Sequence, residues 1–139
     1  MTAQRTIDRT DWPPGPWDDE PDRLEWTDEA TGLPCLIRRT RAGFLCGYVG
    51  VGEDHPFYGL DMSAVRDRDD CPDVHRGVTW GDRRPDNLPG DLWWIGFDCG
   101  HDGDESPARP THGWGIYANI YYVRGQVEIL ARQVAEVTP

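Results

Sequence analysis

The sequence predicts an α+β fold, a mostly antiparallel β-sheet with a C-terminal helix packed on one face. Three observations carry this expectation. Short apolar stretches recur between glycine- and proline-bearing turns from Arg23 to Asp98, the pattern of successive strands. Near the end, Ile120, Val123, Val127, Leu130, Val134 and Val137 follow a 3-4-3-4-3 spacing, which lines one stripe of a helix. Seven Trp, five Tyr and three Phe supply large units of burial, roughly 150–250 Å² each. A chain of 139 residues fits a single domain over residues 1–139, large enough to bury a core without staples.

The elements follow in order. Residues 1–11 read as a flexible arm and 12–22 as a Pro/Trp strap. Within the strap, Trp12-Pro-Pro-Gly-Pro-Trp17 holds too many prolines for a helix and favours an extended path. Asp18 to Asp22 reads as acidic and solvated. Arg23 to Trp26 alternates as a short strand, and Thr31 to Pro34 is a turn. Cys35 to Arg39 and Phe44 to Val51 form a hairpin, with Gly43 supplying the positive φ that its tight connection needs. Phe44 to Val51 is apolar on both faces and suits a central strand, its glycines marking close packing. His55 to Gly59 is a loop, and Leu60 to Val65 one helical turn. Val74 to Trp80 alternates as a strand, Gly81 to Gly90 is a polar loop, and Leu92 to Asp98 is the most apolar strand. Gly100 to Gly115 is a long loop of the kind that often carries function. The C-terminal helix follows and stops at Pro139. A sheet of about four to six strands is expected from typical sheet sizes.

Composition narrows the partners. The formal charge is −11, which argues against a nucleic-acid partner and against anionic membranes. No apolar run is long enough to span a bilayer, and Met1 to Asp11 lacks the apolar region of a secretory signal. A cytoplasmic location, with Cys35, Cys46, Cys71 and Cys99 as reduced thiols, is the expectation. All fourteen basic residues are arginine, which grips carboxylates and phosphates in a planar fork. Arg38-Arg39-Arg41 and Arg83-Arg84 are solvated surface by default, although one of these sets could hold a phosphate.

The densest reactive cluster is Asp98-Cys99-Gly100-His101-Asp102-Gly103-Asp104-Glu105-Ser106, where an apolar strand opens into a loop. Three chemistries compete there. Nucleophilic catalysis would use Cys99 as thiolate, His101 or His75 as base and Asp98 as orienter. Zinc could take Cys99 and His101 with His75 or His55, and calcium could take Asp102, Asp104 and Glu105. Neither spacing is that of a dedicated metal motif, and no metal or cofactor is expected. Ligand recognition would use Tyr48, His55, Tyr58, Trp80 and Asp102 around the same residues. The plainer alternative makes Cys99 a buried small hydrophobe, Asp98 and Asp102 turn caps and His101 an ordinary loop residue. If the strands 74–80 and 92–98 are neighbours, His75 and Asp98 meet and fix a tautomer.

Several stretches together resemble a group of small uncharacterised proteins of tailed bacteriophages and prophages. They are Gly15-Pro16-Trp17 with Glu20-Pro21-Asp22, Thr31-Gly32-Leu33-Pro34-Cys35, Cys46-Gly47-Tyr48-Val49-Gly50-Val51, His55-Pro56-Phe57-Tyr58-Gly59, Val74-His75-Arg76-Gly77-Val78-Thr79-Trp80 and Trp93-Trp94-Ile95-Gly96-Phe97-Asp98-Cys99-Gly100-His101. Arg76 stands where the resemblance expects glycine. The resemblance implies an accessory protein acting in the host bacterial cytoplasm and brings no activity with it. The expectation is a protein that binds a small, nucleotide-like ligand or a host factor, as a monomer or small homo-oligomer, and so interferes with host function or defence. The alternatives are a small Cys/His/Asp hydrolase and an interaction module without a small-molecule site.

Overall fold

The computed structural model of the chain describes residues 2–83 and 91–138. Its strands are β1 (Thr2–Gln4), β2 (Arg23–Thr27), β3 (Pro34–Arg39), β4 (Leu45–Val51), β5 (Trp80–Asp82) and β6 (Trp93–Asp98). They form one sheet in the order β1-β2-β3-β4-β6-β5, and every neighbouring pair is antiparallel. The helices are α1 (Met62–Arg66) and α2 (Ile120–Ala135). The fold is therefore α+β and mostly sheet, with the C-terminal helix lying across β4 and β3.

Local chemistry explains the elements. The β3–β4 connection turns on Gly43, whose φ is 96°, a backbone region that only glycine enters cheaply. All seven residues of β4 are buried, as a central strand covered on both faces should be. On one face Val49, Val51, Ile95, Phe97 and the α2 stripe share the main core. On the other, Leu36, Cys46, Tyr48 and Trp94 form a second cluster. Gly47 lets the helix approach, since a Cβ there would stand 2.5 Å from Val127 Cγ2. Asn119 caps α2 by accepting the Tyr122 N–H at 2.8 Å, and Asp61 caps α1 through Ala64 at 2.9 Å, each satisfying an orphan donor of the first turn.

Four expectations are corrected. Residues 1–11 are not a loose arm: β1 pairs with β2, and the Asp22 carboxylate accepts the Thr6 and Ile7 backbone N–H groups at 2.7 Å each. The strap is not wholly extended, because Pro16–Asp19 makes a 3₁₀ turn that tolerates proline at its first position. Asp18 to Asp22 is not uniformly solvated, for Glu20 and Asp22 are buried against Arg39 and Arg9. Val74 to Trp80 is not a strand. Arg76 and Gly77 have φ of 57° and 82°, so the chain turns there and joins the sheet only at Trp80. Position 76, where the resemblance expects glycine, thus has a left-handed backbone. Val137 lies just past the end of α2. Residues 84–90, which include Arg84 and most of the expected polar loop, and the terminal Pro139 lie outside the described residues.

Candidate functional site

The turn after β4 and α1 carries His75 to the N-terminal end of α2. The Gly77 N–H closes the turn on the Val74 carbonyl at 2.8 Å, and buried Val74 anchors it in the core. The His75 backbone N–H donates to Gln126 Oε1 on α2 at 2.9 Å. Its ring then meets two partners. Nδ1 is 2.7 Å from the Tyr122 hydroxyl, and Nε2 is 3.0 and 3.1 Å from the two Asp104 carboxylate oxygens. Asp104 is buried and held by a turn in which its N–H donates to the His101 carbonyl at 2.9 Å.

This geometry sets the proton positions of the neutral ring. A carboxylate only accepts, so Nε2 carries the hydrogen and donates to Asp104. Nδ1 is then the acceptor, and the Tyr122 hydroxyl donates to it. Burial pushes the Tyr122 phenol above its ordinary range, and the nearby Cys99 and Asp104 add to the shift. The phenol therefore keeps the proton it donates. The result is a carboxylate–imidazole–phenol array. Its outer hydroxyl retains lone pairs for a ligand.

A second histidine extends the array. The His101 backbone N–H donates to Asp104 Oδ2 at 3.1 Å. Its Nδ1 sits 3.6 Å from Asp98 Oδ2 and 3.8 Å from Asp104 Oδ2. Asp98 also accepts from the Thr79 hydroxyl at 2.9 Å and from the Gly100 N–H at 3.1 Å. Asp98 and His75 do not meet; Asp104 takes the place expected for Asp98.

The array opens on a cleft of about 410 Å³ between the His75–Arg76 turn, the Gly103–Asp104 turn and residues 116–122. That volume falls within the usual range for small-molecule sites, about 300–1,000 Å³. Arg76 crosses to the Asp102 carbonyl at 2.8 Å and so ties two walls together. Ile116, which lines the cleft, is 79% exposed.

Other expected site residues lie elsewhere. Cys99 is 1% exposed and packed in the main core, and burial, reinforced by the Asp104 carboxylate, holds its thiol far above the ordinary range. It is a buried hydrophobe, so the thiolate nucleophile is not available. Tyr48 is buried on the sheet face opposite α2, beside Trp80, with its hydroxyl accepting from Arg38 Nε at 2.8 Å. His55 is a structural residue: Nδ1 accepts the Phe57 N–H at 3.0 Å, and Nε2 donates to the Val134 carbonyl at 2.8 Å. Tyr58 packs on Trp93 under Arg83. Asp102 is exposed and contributes only its carbonyl. Among the described residues, no group of three or more His, Cys, Asp or Glu converges as metal ligands would.

Tyr122, Tyr117, Asn119 and Arg76 enter the site without having been anticipated, and Asp104 enters as the partner of His75. One signal was present for the tyrosines. Tyr121-Tyr122 opens a helix but lies off its apolar stripe, so those rings had to face something other than the core.

Comparison with protein-family models, with curated proteins and with solved structures finds no match to this chain.

Proposed function

We propose that this chain is a ligand-binding protein that holds a small, nucleotide-like molecule in the cleft between the His75 turn and the first turn of α2. The observation that carries the reading is the Asp104–His75–Tyr122 array, which presents a fixed hydroxyl to a cleft of ligand size. Tyr117 and Tyr122 offer aromatic surface, and Asn119 and Arg76 lie close by as polar groups. A planar, hydrogen-bonding group such as a nucleobase matches that mixture of aromatic and polar side chains. The sequence resemblance described above supports a phage accessory role, in which such capture would deprive the host cytoplasm of a signal or metabolite. No helix among the described residues is long and apolar enough to cross a membrane.

A second reading has its own observation. The 2.7 Å contact between Tyr122 and His75 would let the phenol oxygen take a proton from a bound substrate while its own proton passes to His75 Nδ1, which is general base catalysis. A thermal-shift panel of nucleosides and nucleotides, followed by chromatography of the incubated ligand, separates the two. Capture predicts a raised melting temperature with the ligand recovered unchanged. It also predicts loss of about tenfold or more in affinity in Tyr122→Phe and Asp104→Asn, the usual worth of a charge-linked hydrogen bond. Conversion of the ligand, abolished in Tyr122→Phe, would select the catalytic reading. Equal binding by wild type and both variants would remove the cleft from either.

A further inference from the structure

Besides His75, the charged side chains that line the cleft are Arg76 and Asp104, and they differ in what they show to a ligand. Asp104 is 7% exposed, and its oxygens already accept from the His75 ring and the His101 N–H. Arg76 is exposed. The charge that the cleft presents is therefore positive, in a chain whose formal charge is −11.

The backbone that presents it is unfavourable for arginine. Arg76 has a φ of 57°, in a left-handed region that glycine enters freely and other residues, apart from Asn and Asp, seldom occupy. Residues held in such conformations concentrate at ligand sites.

The guanidinium is fixed but not used up. Nη2 donates to the Asp102 carbonyl at 2.8 Å. It lies along the Gly103 turn, where an added Cβ would stand 3.1 Å from it. Among the described residues this is its one hydrogen bond, and no carboxylate forms an ion pair with it. A guanidinium carries five N–H donors, so a fork remains for a ligand. The charge also reaches the Tyr122 phenol, where it opposes the upward push of burial. One small molecule can meet the Tyr122 hydroxyl and the Arg76 fork together.

Building on the reading of this cleft as a ligand site, we propose that it takes a nucleoside monophosphate whose phosphate Arg76 grips at the rim. Paired guanidinium N–H groups match phosphate oxygens. No other arginine lines the cleft, so further phosphates would add charge without a partner.

Calorimetric titration of the full chain with the four ribonucleosides, their 5′-monophosphates and their 5′-triphosphates tests the proposal. Wild type, Arg76→Gln and Arg76→Lys are compared, each first checked for an unchanged melting curve. In wild type at least one monophosphate should bind tenfold or more tighter than its own nucleoside, and the preference should shrink as salt rises. The triphosphate should gain nothing further. In Arg76→Gln the preference should vanish while the nucleoside binds as before. Arg76→Lys, which keeps the charge without the fork, should retain part of the preference. The wild-type comparison decides even if a variant fails to fold. Equal binding of monophosphate and nucleoside by wild type overturns the proposal and leaves the cleft a ligand site. So does a preference undiminished in Arg76→Gln, or a parallel weakening of both ligands there, which would make Arg76 only a tie between walls. A tenfold gain for the triphosphate overturns the single-phosphate assignment. Binding of none of these by wild type removes the nucleotide reading of the cleft and the proposal with it.

Discussion

Cys99 and Cys71 carry the same thiol, and their surroundings give them opposite access. Cys35, Cys46 and Cys99 are buried, while Cys71 is half-buried in the segment after α1. Burial pushes Cys35 up to about 12 and Cys99 further still. Burial also raises Cys71, but the nearby Arg66 opposes the shift. Thiolate population and access together govern alkylation. Native protein at neutral pH should therefore react at Cys71 alone, with all four thiols reacting after denaturation. Peptide mapping of alkylated native protein checks this. Rapid labelling of Cys99 in the native state would mean that the main core opens readily. His55 gives a parallel case: both ring nitrogens are spent on backbone groups, and its distance from the cleft comes from the fold, not from its side-chain chemistry.

At the scale of elements, the sheet depends on two glycines facing opposite ways. Gly47 admits α2 on one face of the sheet. Gly96 admits Tyr48 on the other, where an added Cβ would stand 2.2 Å from Tyr48 Cδ2 and 2.6 Å from the Gly47 carbonyl oxygen. The carbonyl belongs to the paired strand and cannot yield without breaking the β4–β6 ladder. Overpacking of this kind costs roughly 1–3 kcal/mol, and more when backbone must move. Gly96→Ala should lie at or above the upper end of that range, measured by denaturant unfolding. Gly52→Ala, where among the described residues no atom beyond the two chain neighbours lies within 4 Å of the added Cβ, should change stability far less. Equal effects would mean that β4 and β6 can separate at little cost.

Across the whole molecule, one buried polar network joins the N-terminal strap, the sheet and α2. Arg39 contacts Asp22 at 2.9 Å and Glu20 at 3.1 Å. It also donates to Tyr117 Oη at 2.7 Å, and the Tyr117 hydroxyl donates in turn to Glu20. The second Glu20 oxygen accepts the Ile120 N–H at the start of α2 at 2.8 Å. This network places Tyr117 and the first turn of α2, and with them one wall of the cleft. Removing one partner from a buried ion pair costs about 3–5 kcal/mol, so Arg39→Met should destabilise on that order. Asp22 also sets a pH response. Burial alone would raise its pKa, but the Ile7 N–H, the Arg9 guanidinium and the Thr6 N–H outweigh that and hold it below 3.8. A carboxylate depressed on folding stabilises above its unfolded value, and that stability is lost as pH falls through the folded one. Melting temperature should fall as pH drops below about 3.8, and Asp22→Asn should be less stable at neutral pH with a shallower acid decline. An unchanged acid slope in Asp22→Asn would assign the response to other carboxylates.

By itself the sequence determined the fold class, the β3–β4 hairpin with its turn at Gly43, the buried central strand and the helix with its stripe. These follow from periodicity and turn chemistry, which act between near neighbours and so leave a local trace. It also marked the junction of β6 with the following loop as chemically dense, and His75 and His101 do approach each other there through Asp104. The tertiary structure alone decided which carboxylate met His75, that Tyr122 completed the array and that Cys99 turned inward. It also drew Glu20, Asp22 and Arg39 out of water. Each of those outcomes depends on groups far apart in the chain, 47 residues for His75 and Tyr122 and 100 for Glu20 and Ile120. Charge and polarity predict solvation only until a distant partner of the right shape and sign is folded against them, and no local pattern records that partner.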